Sequence, residues 1–320
     1  MHHTLTIVAE VLAAGAVVTF IGARLIERVH PPRGRFVDVD GARQHVVEIG
    51  PPPSAPNTAP PIVLIHGAGC NLEDMRLALG ERLAARHRVV LIDRAGLGYS
   101  KRKTRRGSSP TYQAAILRGV LDRLGIARAV VVGHSWGGAL AVAFALDYPT
   151  RVAGLVLLAP PLYPQLRSMT WLYAAFATPL VGWLYARTLA LPLGALFIGF
   201  ALGSAFLPQL PPCGYVKRTA ALLLLRPATF LANARDVADL KSNLVAQAAR
   251  YATLAVPTTI MAGDSDMVVP PWQHAKPFAA AVPAAKLVAL PGIGHMLHHV
   301  AAERVAAEIE VIAVSSSPAE

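Results

Sequence analysis

The chain has 320 residues, with 54% hydrophobic and only 15% charged residues, a net charge of +11 and a mean hydropathy of +0.44. So apolar and basic a composition excludes a freely disordered chain and points to contact with a membrane; two cysteines, Cys70 and Cys213, are too few for a disulfide scaffold and lack metal-site spacing. The basic clusters are not interleaved with aromatic residues as in a nucleic-acid module, so the positive charge is read as facing anionic lipid and not nucleic acid.

Leu5 to Ala23 is a run of nineteen residues with one charge, Glu10. As a helix it spans about 28 Å, close to the thickness of a hydrocarbon core. Met1-His2-His3-Thr4 lacks the Lys or Arg of a secretory signal, and no small-x-small cleavage site follows. Arg24, Arg28, Arg33 and Arg35 lie after the run, which places the remainder of the chain on the cytoplasmic side of a membrane. The reading is an uncleaved anchor over residues 1–30, with a cleaved export signal and a peripheral or buried helix as its rivals.

Pro31-Pro32 ends this helix. Residues 36–38 and 44–49 alternate about Asp40-Gly41, a hairpin signal. A Pro-rich loop over 51–61 leads to Ile62-Val63-Leu64-Ile65, an uninterrupted apolar run expected of a strand buried on both faces. It ends in His66-Gly67-Ala68-Gly69. A helix is expected over 72–86, a strand over 88–92, the turn Asp93-Arg94-Ala95-Gly96-Leu97-Gly98-Tyr99-Ser100, then a helix over 112–124.

Val130-Val131-Val132-Gly133-His134-Ser135-Trp136-Gly137-Gly138 follows, a β-branched run closing in Gly-x-Ser-x-Gly before a helix-forming segment. Strand, sharp turn and helix raise the serine hydroxyl above the end of a sheet. Val152 to Leu158 is the next strand. The strand–helix alternation lapses at Pro161 and resumes with a strand near 258–261, a helix over 272–281, a strand over 286–290 and a last helix over 299–311. The expected fold class is α/β, a mostly parallel sheet with helices on both faces. Residues 34–161 and 251–314 form its two parts, 162–250 a helical cap between them, and 315–320 a tail. Ser168 to Val216 has a single charged residue, Arg187, and many aromatics, which suits a hydrophobic or lipid-like substrate.

This order of motifs resembles the α/β-hydrolase superfamily, over roughly residues 34–314. Five motifs carry the resemblance: His66-Gly67, Asp93 to Ser100, Gly133 to Gly137, Gly263 to Pro270, and Gly294-His295. The family order is serine, acid, histidine. It implies Ser135 as nucleophile, His295 as base and Asp266, the fourth position of GxxDxxxP, as the acid. From the residues alone, Asp264 and Asp266 are rivals, and the greater length past the strand end favours Asp266. The resemblance further implies backbone donors at Ala68 and Trp136 for an oxyanion, with His66 and Gly67 bracing the first of these loops and His134 packing beside the serine turn. A serine at the turn argues against the dehalogenases and epoxide hydrolases that resemble this group and place aspartate there.

The implied activity is hydrolysis of a carboxylic ester of a hydrophobic substrate, without cofactor. A C–C bond hydrolase or perhydrolase with the same triad, and a ligand-binding protein that has lost catalysis, are the alternatives. No metal is expected: adjacent His298-His299 are poor ligand geometry, would point away on the last helix, and no His/Asp cluster surrounds them. Lys101-Arg102-Lys103-Thr104-Arg105-Arg106 places five cations in six residues, a contact for anionic lipid headgroups.

Overall fold

A computed structural model describes residues 2–52, 59–165 and 170–315. Most of the Pro-rich loop (53–58) and the tail (316–320) therefore lie outside the described residues. Eight strands form one sheet: β1 (Arg35–Val39), β2 (Ala42–Ile49), β3 (Ile62–Ile65), β4 (Val89–Ile92), β5 (Ala129–His134), β6 (Val152–Leu158), β7 (Thr258–Gly263) and β8 (Ala285–Leu290). Their spatial order is β1-β2-β4-β3-β5-β6-β7-β8, antiparallel at β1/β2 and β2/β4 and parallel elsewhere. Asp40 and Gly41 both take positive φ, +48° and +68°, the two-residue turn that matches strand twist in a hairpin.

Every residue of β3, β4, β5 and β6 is buried, because helices cover both faces of the sheet. One layer packs the helices Pro110–Arg123 and Trp136–Asp147; the other packs the segment after β3 and the C-terminal helix Ala302–Ser315. The chain leaves β3 for β4 on one side, then crosses back to β5 on the other, so the strand order reverses at β3/β5. At such a switch point the loops after neighbouring strands diverge to opposite faces and leave a crevice between them. Ile65 pairs with Gly133, which sets the loop after β3 directly beside the serine turn after β5.

Three helices differ in detail from the periodicity. The helix from Leu72 contains a π segment, Arg76–Gly80, before it ends at Leu83. The helix expected from Trp272 starts at Ala275, with His274 at its cap. The last helix is broken at Ala301 into Leu297–Val300 and Ala302–Ser315.

Between β6 and β7 lie the cap helices Thr170–Ala177, Pro179–Thr188, Ala190–Phe206, Tyr215–Arg218 and Pro227–Ala248. The N-terminal helix runs His2–Val29, ending just before Pro31-Pro32 as the sequence implies, and is long and apolar enough to cross a membrane. It does not stand apart from the body. A Cβ at Gly15 would lie 2.3 Å from the Thr188 carbonyl oxygen, and one at Gly22 would lie 3.0 Å from Leu191. Thr19 Oγ1 donates to that same Thr188 oxygen at 3.4 Å, and Glu27 pairs with Arg226 at 2.7 Å. Small residues at 15, 19 and 22 thus let the second half of the helix lie along the cap. Its outer side keeps Val17, Phe20 and Ile21 exposed, beside exposed Leu180, Trp183, Phe197 and Phe200 of the cap.

Candidate active site

Ser135 sits between β5 and its helix at φ +50° and ψ −123°, a strained conformation held from both sides. Its N–H donates to Leu158 O at 2.8 Å, and its carbonyl accepts from Gly138 N at 2.7 Å. The turn requires glycine at its flanks. A Cβ on Gly133 would come within 2.3 Å of Gly137 O, and one on Gly137 within 2.6 Å of Ile65 O.

Three residues from three strand ends meet here. His295 follows β8, and its Nε2 lies 3.0 Å from Ser135 Oγ. Its Nδ1 lies 2.8 Å from Asp266 Oδ2, after β7. Asp266 is fully buried, and its other oxygen accepts from the N–H groups of Val268 and Val269, both at 2.8 Å. Asp264, the rival, faces outwards: its Oδ1 accepts from Gly292 N at 2.7 Å and from Ser265 Oγ, bracing the turn that carries His295. The arrangement provides a hydroxyl, a base in contact with it and a carboxylate fixing the base's far nitrogen.

The loop after β3 lies against the serine: a Cβ on Gly67 would be 3.1 Å from Ser135 Cβ and 3.0 Å from His134 Nδ1. His66 is buried behind this loop. Its Nδ1 donates to Gly67 O at 2.9 Å, and its Nε2 accepts from Arg94 N–H at 3.0 Å. Burial, with Arg94 beside it, lowers its pKa to about 4, so the ring is a neutral brace. Trp136 opens the helix after the serine, and its indole N–H donates to Asp236 O at 3.0 Å. His134 donates Nε2–H to the carbonyl of His295 at 3.2 Å, and burial holds its pKa well down.

Several contributors carry no motif. Asp236, on the cap helix Pro227–Ala248, is fully buried and pairs with Arg94 at 2.7 Å and with Arg102. From the same helix, Asn233 Oδ1 accepts from Gly69 N at 2.7 Å. One cap helix therefore fixes the loop after β3, the turn after β4 and the indole of Trp136. Arg102 belongs to the basic run, so that part of the run is structural.

The expectation for His298 and His299 is corrected. They converge, and an acid from a distant part of the chain meets them: Asp74 accepts from His299 Nε2 at 2.7 Å, from His298 Nε2 at 3.0 Å and from the Tyr215 hydroxyl at 2.7 Å. The three ligand-type atoms lie within 4.8 Å of one another. Burial pushes the Asp74 carboxyl up, and the two histidines more than offset this, holding it well below the usual range. Each contact is already a satisfied hydrogen bond, so the cluster reads as a buried charge network behind His134, whose ring lies 4.0 Å from that of His298.

Acid sensitivity follows from the buried neutral histidines. His274 accepts the N–H groups of Leu162 and Tyr163 at Nδ1, and burial lowers its pKa, like that of His66, to about 4. The unfolded chain takes up these protons at the ordinary pKa of 6.5, the folded chain only near 4. Stability is thus unaffected above pH 6.5 and lost as the pH falls towards 4, by about 3 kcal/mol per histidine. Asp74 acts lower, since a depressed carboxylate loses its contribution only as the pH passes through its folded value. Thermal melts should show Tm dropping steeply between pH 6.5 and 4; a flat profile would contradict neutral His66 and His274.

The profile of the alpha/beta hydrolase fold family matches residues 60–302. Haloalkane dehalogenase 2 of Mycobacterium tuberculosis is 26% identical, over 88% of this chain and 95% of that protein. A 2-hydroxy-6-oxononadienedioate/2-hydroxy-6-oxononatrienedioate hydrolase of Burkholderia vietnamiensis is 44% identical over 100 residues, 30% of this chain and 35% of that one. Among solved structures, an alpha/beta hydrolase fold protein from Burkholderia ambifaria superposes with a TM-score of 0.69 at 25% identity, over 86% of this chain and 96% of that one.

Proposed function

The chain belongs to the alpha/beta hydrolase fold family, and from that premise we propose that it is a serine hydrolase cleaving a carboxylic ester of a hydrophobic, lipid-like substrate, held at a membrane by its N-terminal helix. The observation that supports this best is the contact series Ser135 Oγ–His295 Nε2–Asp266 at 3.0 and 2.8 Å on a positive-φ turn.

A serine hydroxyl is a weak nucleophile until a base removes its proton. His295 Nε2 takes that proton as Oγ attacks the ester carbonyl. Asp266 holds the Nδ1–H tautomer and stabilises the imidazolium formed. The developing oxyanion is received by the backbone N–H groups of Trp136 and Ala68, each donor contributing about 3 kcal/mol to the transition state. Collapse expels the alcohol, protonated by His295, and leaves an acyl-serine. Water, deprotonated by His295, then repeats the sequence and releases the acid.

The likeness to a dehalogenase does not transfer its chemistry. Displacing a halide by serine would leave an alkyl ether, which has no carbonyl for water to attack, whereas an acyl-serine has one. The cap favours an apolar substrate, since its helices expose Trp171, Leu180, Trp183, Phe197 and Phe200 to the surroundings. The charges at Arg24 and Arg28 support a cytoplasmic catalytic domain; a cleaved export signal is the competing account.

A C–C bond hydrolase is the second reading, favoured by the 44% segment shared with the Burkholderia vietnamiensis enzyme. The test is fluorophosphonate labelling of the full chain, followed by p-nitrophenyl esters of increasing chain length against a diketone substrate. Ser135 should be labelled and long-chain esters turned over. Preferred cleavage of the diketone would favour the second reading, and a folded, unlabelled protein that turns over neither would sink both.

A further inference from the structure

The N-terminal helix and the cap border an open cleft of about 820 Å³ that none of the triad residues lines. One wall is apolar and comes from the helix: Ala16, Thr19, Phe20 and Ala23. The other is cationic and comes from the loop after β4 and two cap helices: Lys101, Arg102, Lys103, Arg187, Arg226 and Arg235. Glu27 is the acidic residue of the lining among the described residues, and Arg226 already holds it at 2.7 Å. Arg102 is likewise paired, with Asp236. Among the described residues Lys101, Lys103 and Arg187 have no carboxylate partner; Arg187 lies over the ring of Trp183, 4.6 Å from its centroid. The cleft thus carries an excess of positive charge next to apolar surface.

We propose that this cleft binds one anionic phospholipid, its phosphate between Lys101, Lys103 and Arg187 and an acyl chain along Ala16, Phe20 and Ala23. Three observations favour a lipid over a soluble anion. The apolar wall continues without a break onto the exposed face of the helix, where Val17, Phe20 and Ile21 are each at least half exposed. The cleft runs along residues 16–27, in the half of that helix that carries Arg24 and Arg28, the side on which the headgroups of a crossed leaflet stand. Charge of this density is matched by a phosphate in that layer, each nearby cation strengthening binding about fivefold. The proposal rests on the membrane reading of the N-terminal helix and is independent of the chemistry at Ser135.

The experiment is native mass spectrometry of the full chain, purified in detergent and mixed with equal amounts of phosphatidylglycerol and phosphatidylcholine. One phosphatidylglycerol should be retained in preference to phosphatidylcholine. In K101Q/K103Q/R187Q its affinity should fall on the order of a hundredfold, three cations at about fivefold each. R82Q/R123Q/R128Q removes the same charge outside the cleft and should retain the lipid. Equal retention of both lipids, equal loss in both triple variants, or displacement of the lipid by millimolar inorganic phosphate would each overturn the proposal, the last by showing a free-anion site. A thermal melt of the cleft variant reports that it is folded, and flotation with neutral vesicles reports the membrane reading, so the failures are separable.

Discussion

Replacing Ser135 by alanine is expected to lower turnover of a soluble ester by about 10⁶-fold while leaving the fold intact. In a serine–histidine–acid unit, loss of the nucleophile costs about as much as loss of the whole unit, because base and acid have nothing left to activate. The backbone around residue 135 is fixed by its own N–H and C=O bonds to Leu158 and Gly138, and alanine retains both. Oγ makes its contact with His295 and caps nothing in the following helix. Tm should therefore stay within a few degrees of the parent, and fluorophosphonate labelling should vanish. Turnover reduced by less than about a hundredfold would mean that water or another residue attacks the ester, and the acyl-enzyme scheme would fall.

The second large effect separates the two aspartates. Asp266→Asn should cost about 10⁴ in kcat. Oδ1 of Asp266 is pinned by the N–H groups of Val268 and Val269, so an asparagine there must keep its carbonyl oxygen on that side. Its NH₂ then faces His295 Nδ1, which can only accept. The histidine proton moves to Nε2, and the nitrogen facing Ser135 loses the lone pair it needs. Asp264→Asn keeps an oxygen for the N–H of Gly292 and should stay within about tenfold of the parent. The comparison is read from kcat on one soluble ester for both variants. Equal losses at the two positions would break the assignment.

The strand ends and their cargo were legible because each is local. Asp40-Gly41 dictates its hairpin, and the glycines around Ser135 are demanded by contacts within four residues or with the adjacent strand. What escaped notice comes from distance. Asp236 reaches Arg94 across 142 positions and Asp74 reaches His299 across 225, and no periodicity encodes such pairs. A buried acid on an otherwise amphipathic helix leaves the same trace as an exposed one. The docking of the N-terminal helix did leave a signal, the small residues at 15, 19 and 22, but an apolar helix with small residues reads equally as a lone span. Only the position of Thr188 and Leu191 against the glycines distinguishes them.

That seam of small residues makes the N-terminal helix a splint and not a leash. A leash would let the catalytic domain tumble above a bilayer and meet substrate from any direction. A splint, fixed along the cap from Gly15 to Glu27, sets the height and tilt of everything behind it. If the helix crosses a membrane as proposed, the exposed aromatics of the cap face the same layer at every turnover. Encounter is then governed by how many substrate molecules occupy a given area of leaflet, and dilution of the bulk solution should scarcely matter.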